Sequence, residues 1–166
     1  MAGPERTFVD TNVLLYAHDA SEVMKQPIAR AALETFWRDR AGVLSTQVLQ
    51  ELYVAATRKL RQPLSRDEAR EIVELYATWP VITIDPPVIL AATRVEEDAQ
   101  VSSWDALILT AARLSGATRL LTEDLQHGRE IDGVRLENPF ATLSTTPPAS
   151  SRPIPAGSRK ADTPRQ

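Results

Sequence analysis

Asp10, Glu51, Asp105 and Asp124 are the side chains of this sequence with which chemistry could be done, because each stands where an apolar element ends or begins. Asp10 directly follows Thr7-Phe8-Val9, and Glu51 lies one to two turns into the segment that opens at Ser45. Asp105 falls in the first turn of Trp104-Asp105-Ala106-Leu107-Ile108-Leu109, and Asp124 follows Leu120-Leu121-Thr122-Glu123. Asp10 and Asp105 sit in strongly apolar surroundings, where an unpaired buried charge is costly. Four carboxylates drawn together repel one another, and some are forced to protonate unless counter-charge is supplied. A hard divalent cation such as Mg²⁺ takes oxygen ligands and supplies it. It also makes an acidic pocket attractive to a phosphodiester, lowers the pKa of water and stabilises charge on a leaving oxygen. Hydrolysis of a phosphodiester is the reaction this set suits. Taken singly, each acid also has an ordinary use: Asp105 beside a helix dipole, Asp10 and Asp124 as caps or turn formers, Glu51 on a solvated helix face.

The elements that must position these acids are readable as an alternation. Short β-type runs occur at Thr7-Phe8-Val9, Gly42-Val43-Leu44, Val81-Ile82-Thr83-Ile84 and Arg119-Leu120-Leu121, with Val134-Arg135-Leu136 as a weaker fifth. Between them, Ile28-Ala29-Ala32-Leu33-Phe36-Trp37 and Val48-Leu49-Leu52-Tyr53-Ala56 recur at three and four residues, the spacing of a helix with one buried face. Ser65-Arg66-Asp67-Glu68 has the pattern of a capping box, and Pro86-Pro87 suits the first turn of a helix after the third strand. Strands alternating with helices predict an α/β domain with a short central parallel sheet and crossover helices. In an open parallel sheet the strand ends and the first turns of the following helices face one crevice. All four acids occupy such places, so they are expected to converge.

Composition narrows the chemistry further. The 166 residues are 43% apolar and 25% charged, as in one ordinary folded domain. With no cysteine, thiolate zinc sites, iron–sulfur clusters, disulfides and cysteine nucleophiles are excluded. Six glycines form no phosphate-binding loop. The net charge of −3 offers no basic field for nucleic acid. From 145 to 166 the sequence turns to Pro, Ser, Thr and Arg, which predicts a disordered tail after a folded domain at 1–144. That tail carries Arg152, Arg159, Lys160 and Arg165 against Asp162, so the folded part is the more acidic. The apolar run after Phe8 is interrupted by Asp10 and Asn12, which does not suit a secretory signal, and no stretch approaches the roughly 18 apolar residues of a membrane span. A cytoplasmic location with no membrane partner is expected.

Four segments in order carry a family resemblance: Val9-Asp10-Thr11-Asn12-Val13-Leu14-Leu15-Tyr16, Ser45-Thr46-Gln47-Val48-Leu49-Gln50-Glu51, Trp104-Asp105-Ala106-Leu107-Ile108 and Leu121-Thr122-Glu123-Asp124-Leu125-Gln126-His127-Gly128. Together, from about Phe8 to Phe140, they resemble a PIN domain of the VapC toxin type. The resemblance implies a three-layer α/β/α, Rossmann-like fold and a Mg²⁺- or Mn²⁺-dependent endoribonuclease. It further implies the toxin of a type II toxin–antitoxin pair, homodimeric and restrained by a small VapB-like antitoxin. On that basis Asp10, Glu51, Asp105 and Asp124 are the acidic metal site, with Glu123 the competing candidate for the fourth position. Asn12 is expected to orient Asp10, and Ser45 and Thr122 to contact the ligands or water. The substrate is expected to be single-stranded or loop RNA, cut to leave a 5′-phosphate and a 3′-hydroxyl.

Two other functions share features with this sequence. Phosphatases of the haloacid-dehalogenase type also place an Asp after the first strand, but they use a second Asp two residues later, where this chain has Asn12. A non-catalytic PIN-like module could use an acidic pocket to receive a basic partner segment. His18 and His127 are not needed as bases where a metal activates water. Trp37, Tyr53, Trp79 and Trp104 lie in apolar patterns and are expected to pack in the core. Arg58, Lys59 and Arg61 could contact RNA phosphates or simply end a helix in solvent.

Overall fold

The computed structural model describes residues 5–145; the expected tail lies, beyond Thr145, outside the described residues. The central strands are β1 (Thr7–Val9), β2 (Gly42–Ser45) and β4 (Arg119–Leu121), flanked by β3 (Val81–Ile82), β6 (Val134–Glu137) and β5 (Glu130–Ile131). The sheet order is β3-β2-β1-β4-β6-β5, parallel throughout except for the antiparallel β5–β6 pair. Every residue of β1 and β2 is buried. Since successive side chains of a strand point to opposite faces, both faces of the sheet are covered, which is the expected three-layer α/β/α arrangement.

The covering helices are α1 (Thr11–Ala17), α2 (Lys25–Asp39), α3 (Thr46–Arg58), α4 (Arg66–Tyr76), α5 (Pro86–Ala99) and α6 (Ser103–Leu114). Their starts follow local chemistry. Ser65 and Glu68 form the reciprocal capping box, the Ser65 N–H donating to Glu68 Oε2 at 2.8 Å and the Glu68 N–H to Ser65 Oγ at 3.2 Å. Pro86 and Pro87 open α5 behind the Asp85 cap. The core is continuous, with Phe8, Leu14, Leu44, Leu52, Leu120 and Leu136 fully buried. Trp79 packs against Gly42, and its ring fills the space a side chain at that position would need.

Three departures from the sequence expectation have physical causes. Helix α1 was not predicted; it forms because Asp10 caps it, its Oδ1 accepting from the Thr11 N–H at 2.7 Å. Strand β3 stops at Ile82 rather than Ile84, because the Ile84 N–H donates to Thr46 Oγ1 at 3.0 Å instead of to a neighbouring strand. The β5–β6 hairpin turns at Asp132-Gly133, with φ of 50° and 78°, the left-handed pair that joins two strands most tightly.

Candidate active-site cleft

Parallel register brings the first acid to its partner. Val9 of β1 stands opposite Leu121 of β4, and the Asp10 N–H continues the ladder to the Leu121 carbonyl at 2.9 Å. The next residues, Asp10 and Thr122, are therefore neighbours at the carboxyl end of the sheet. Thr122 Oγ1, fully buried, donates to Asp10 Oδ2 at 2.7 Å. Asn12 Nδ2 stands 3.4 Å from that same oxygen and donates at 2.9 Å to Asp124 Oδ2. Asn12 thus orients Asp124 more closely than Asp10, and its own Oδ1 accepts from the Glu123 N–H at 3.3 Å.

Glu51 reaches the same cleft from α3. Its Oε2 accepts from Thr11 Oγ1 at 3.0 Å and its Oε1 from Gln47 Nε2 at 3.0 Å. The Gln47 amide also points to the Trp104 carbonyl at 3.4 Å, which ties the start of α6 to the Glu51 helix. Asp10, Asn12, Glu51 and Asp124 line one cavity of about 590 Å³, with Trp104 and Lys59 also in its wall.

The remaining expected site residues are placed differently. Asp105 is half-buried and turned to its own helix start, its Oδ2 accepting from Ser102 Oγ at 2.7 Å, and it does not line the cleft. Ser45 is fully buried as the cap of α3, its Oγ 3.4 Å from the Val48 N–H. Glu123 points away from Asp124's cleft, paired with Lys25, whose ammonium lies over the Tyr16 ring. Of the two adjacent acids, Asp124 is the one that faces Asp10. His18 is held by the Tyr76 hydroxyl at 2.9 Å, and His127 Nδ1 accepts from the Asn138 N–H at 3.0 Å, so both serve structure. Trp79 is buried against Tyr76 as expected, whereas Trp37 stacks on Tyr76 but stays 36% exposed, Tyr53 is half-buried, and Trp104 is 67% exposed at the cleft and is not a core residue. Thr11 and Gln47 escaped notice in the sequence, where the only signal was their spacing around Asp10 and Glu51.

Asp10 is the electrostatic centre. It is 7% exposed, and burial pushes its carboxyl up to about 6; the hydrogen bonds from Thr122 and the Thr11 N–H pull it down, and the charges of Asp124 and Glu51 push it up again. Among the described residues no three Asp, Glu or His side chains form a ready-made metal cage. Mg²⁺ does not need one, since it is commonly held by one or two carboxylates and several waters. The all-oxygen donors of Asp10 and Asp124, cross-linked by Asn12 and Thr122, fit such an ion.

The acids gather outside the carboxyl ends of the central strands, the crevice in which open α/β sheets as a class bind their ligands. The chain belongs to the PIN domain family, whose pattern it matches over residues 7–130. No curated protein is a significant sequence match. Its fold is similar to that of a toxin–antitoxin complex from Klebsiella pneumoniae (20% identity, 81% of this chain and 98% of that one, TM-score 0.62). It is also similar to a DNA-bound VapBC from Salmonella typhimurium (20% identity, 80% and 97%, TM-score 0.58). A third similar structure is the sarcin–ricin loop cleaving toxin VapC20 of Mycobacterium tuberculosis (20% identity, 69% and 86%, TM-score 0.53). Among the described residues no helix is long and apolar enough to cross a membrane.

Proposed function

We propose that this chain is a metal-dependent endoribonuclease, the toxin of a VapBC-like toxin–antitoxin pair, which hydrolyses RNA at the Asp10 cleft. The observation that carries this is the buried Asp10 carboxyl, raised to about 6 and facing Asp124 and Glu51 at the end of the sheet. Membership of the PIN family and the fold shared with toxins, one of them a cleaver of the sarcin–ricin loop, support it.

Asp10 and Asp124 would hold a Mg²⁺ or Mn²⁺ ion, with Glu51 in the same cleft; Asp105 would join them only by turning away from Ser102. Bound there, the ion would supply a Lewis acid for the phosphodiester and an activated water. The chain's own residues do the positioning. Thr122 and the Thr11 N–H hold both oxygens of Asp10, Asn12 holds Asp124, and Thr11 with Gln47 fixes Glu51. Supporting bonds of this kind set ligand geometry and basicity. Lys59, in the cleft wall, supplies a cation for an RNA phosphate outside the reacting centre. A small VapB-like antitoxin would restrain the enzyme, and two copies of the chain would form its dimer.

The purified full chain, given an unstructured fluorescent RNA with Mg²⁺ or Mn²⁺, is expected to cut internally and leave 5′-phosphate and 3′-hydroxyl ends. EDTA and Asp10→Asn should each reduce cutting to background. Cleavage that persists undiminished in either case would refute the proposal, and a folded chain that never cuts RNA would point to a module that only receives a partner.

A further inference from the structure

Trp104 stands out among the three tryptophans. Trp79 is 8% and Trp37 36% exposed, and both are stacked or edge-packed with Tyr76, while Trp104 is 67% exposed and has no ring partner among the described residues. It is not loosely attached. Its carbonyl lies 3.4 Å from Gln47 Nε2, the same amide that holds Glu51, so the backbone beneath the indole is fixed relative to the acids. Gln47 is itself 5% exposed. Trp104 therefore lines the cleft on a fixed backbone, in the same cavity as Asp10, Glu51, Asp124, Leu15, Val54 and Lys59.

A large apolar ring beside a group of carboxylates gains nothing from facing water, and the acids beside it disfavour an anionic or acidic occupant. A neutral, flat, aromatic base satisfies the ring without adding charge beside the acids, and the phosphate joined to it falls to Lys59 and to the cation proposed at Asp10 and Asp124. We infer that Trp104 is a stacking platform for an unpaired base of the RNA, holding the nucleotide next to the scissile phosphate while Lys59 pairs with the backbone. This inference rests on the nuclease function proposed for the Asp10 cleft and names the residue that would seat one base of that single-stranded substrate. Base–aromatic stacking tolerates any sequence, because every base has a π-face. A fully paired duplex keeps its bases stacked on each other and cannot use the platform.

The test compares the full-length wild type with Trp104→Ala and Trp104→Phe on an unstructured RNA dodecamer and on the same strand annealed to its complement, in Mg²⁺. Trp104→Ala is expected to raise KM about ten-fold, an effect of the size stacking produces, with a smaller change in kcat. Trp104→Phe should recover most of that loss, and wild-type indole fluorescence should be quenched by the dodecamer while Trp104→Ala shows no such quench. The duplex should be cut poorly by all three proteins. Because the side chain is exposed, thermal melting should match the wild type for both variants. If the wild type cuts the dodecamer and Trp104→Ala does so with the same KM, the platform is refuted and the nuclease stands. If Trp104→Ala alters the oligomeric state while KM is untouched, the ring belongs to a contact between copies and the inference falls. A wild type that neither binds nor cuts either RNA refutes the nuclease function and the platform with it.

Discussion

Replacing Asp10 by Asn should inactivate the cleft and at the same time stabilise the metal-free protein. The folded carboxyl titrates at about 6 against 3.8 for an unperturbed aspartate. Below about pH 4 the group is neutral in both folded and unfolded chains and contributes no difference. Between pH 4 and 6 it is ionised when unfolded and protonated when folded, so stability falls as pH rises. Above pH 6 the folded chain carries the buried charge and the full penalty, ~3 kcal/mol, is present. An Asn side chain removes that penalty. It can still accept from the Thr11 N–H, but its amide faces Thr122 Oγ1 and Asn12 Nδ2 as a donor, which costs about 1 kcal/mol. Asp10→Asn should therefore be ~2 kcal/mol more stable than the wild type at pH 7.5 in EDTA and equal to it or weaker at pH 4. Urea unfolding of both proteins across that range measures the difference, and added Mg²⁺ should stabilise only the wild type. A variant that is less stable at every pH, by a constant amount, would show that Asp10 is not a charge held against its preference.

Thr122→Val keeps the shape of a fully buried residue and removes the 2.7 Å hydrogen bond that lowers the Asp10 carboxyl. The Asp10 carboxyl should then titrate still higher, so RNA cleavage should fall further at pH 6 than at pH 8; an equal loss at both values would sever Thr122 from the titration. Gly42→Ala places a methyl group into the Trp79 ring at the start of β2, and overpacking of this kind should destabilise the fold by about 1–3 kcal/mol. Its denaturation midpoint and near-ultraviolet dichroism report the change, and an unchanged midpoint would mean that Trp79 moves aside freely.

Much of the scaffold is written locally. The strands around Phe8, Val43 and Leu120 are short apolar runs, the Ser65 capping box declares its helix, and Pro86-Pro87 declares another. Such signals survive because they need only neighbours in the chain. Helix α1 was illegible for the opposite reason: Val13-Leu14-Leu15-Tyr16 continues the apolar run of β1, and only the Asp10 cap separates strand from helix. The Asp132-Gly133 turn was legible in principle, since that pair suits a two-residue hairpin, but Glu130–Ile131 is too short to carry a period.

By itself the sequence determined the residue types: oxygen donors in place of thiols or a phosphate loop, and acids where strands give way to helices. It could not determine which acids meet. Tertiary structure decided that through register, since Val9 opposite Leu121 sets Asp10 against Thr122, and a shift of one residue would separate them. It likewise sent Glu123 to Lys25 and Asp124 to the cleft, turned Asp105 toward Ser102, and left Trp104 in solvent rather than in the core. Asp105 is held by a neighbour three residues back, but the long-range partners of Glu51, Glu123 and Asp124 lie 40 to 112 residues away in the chain, where only packing can bring them.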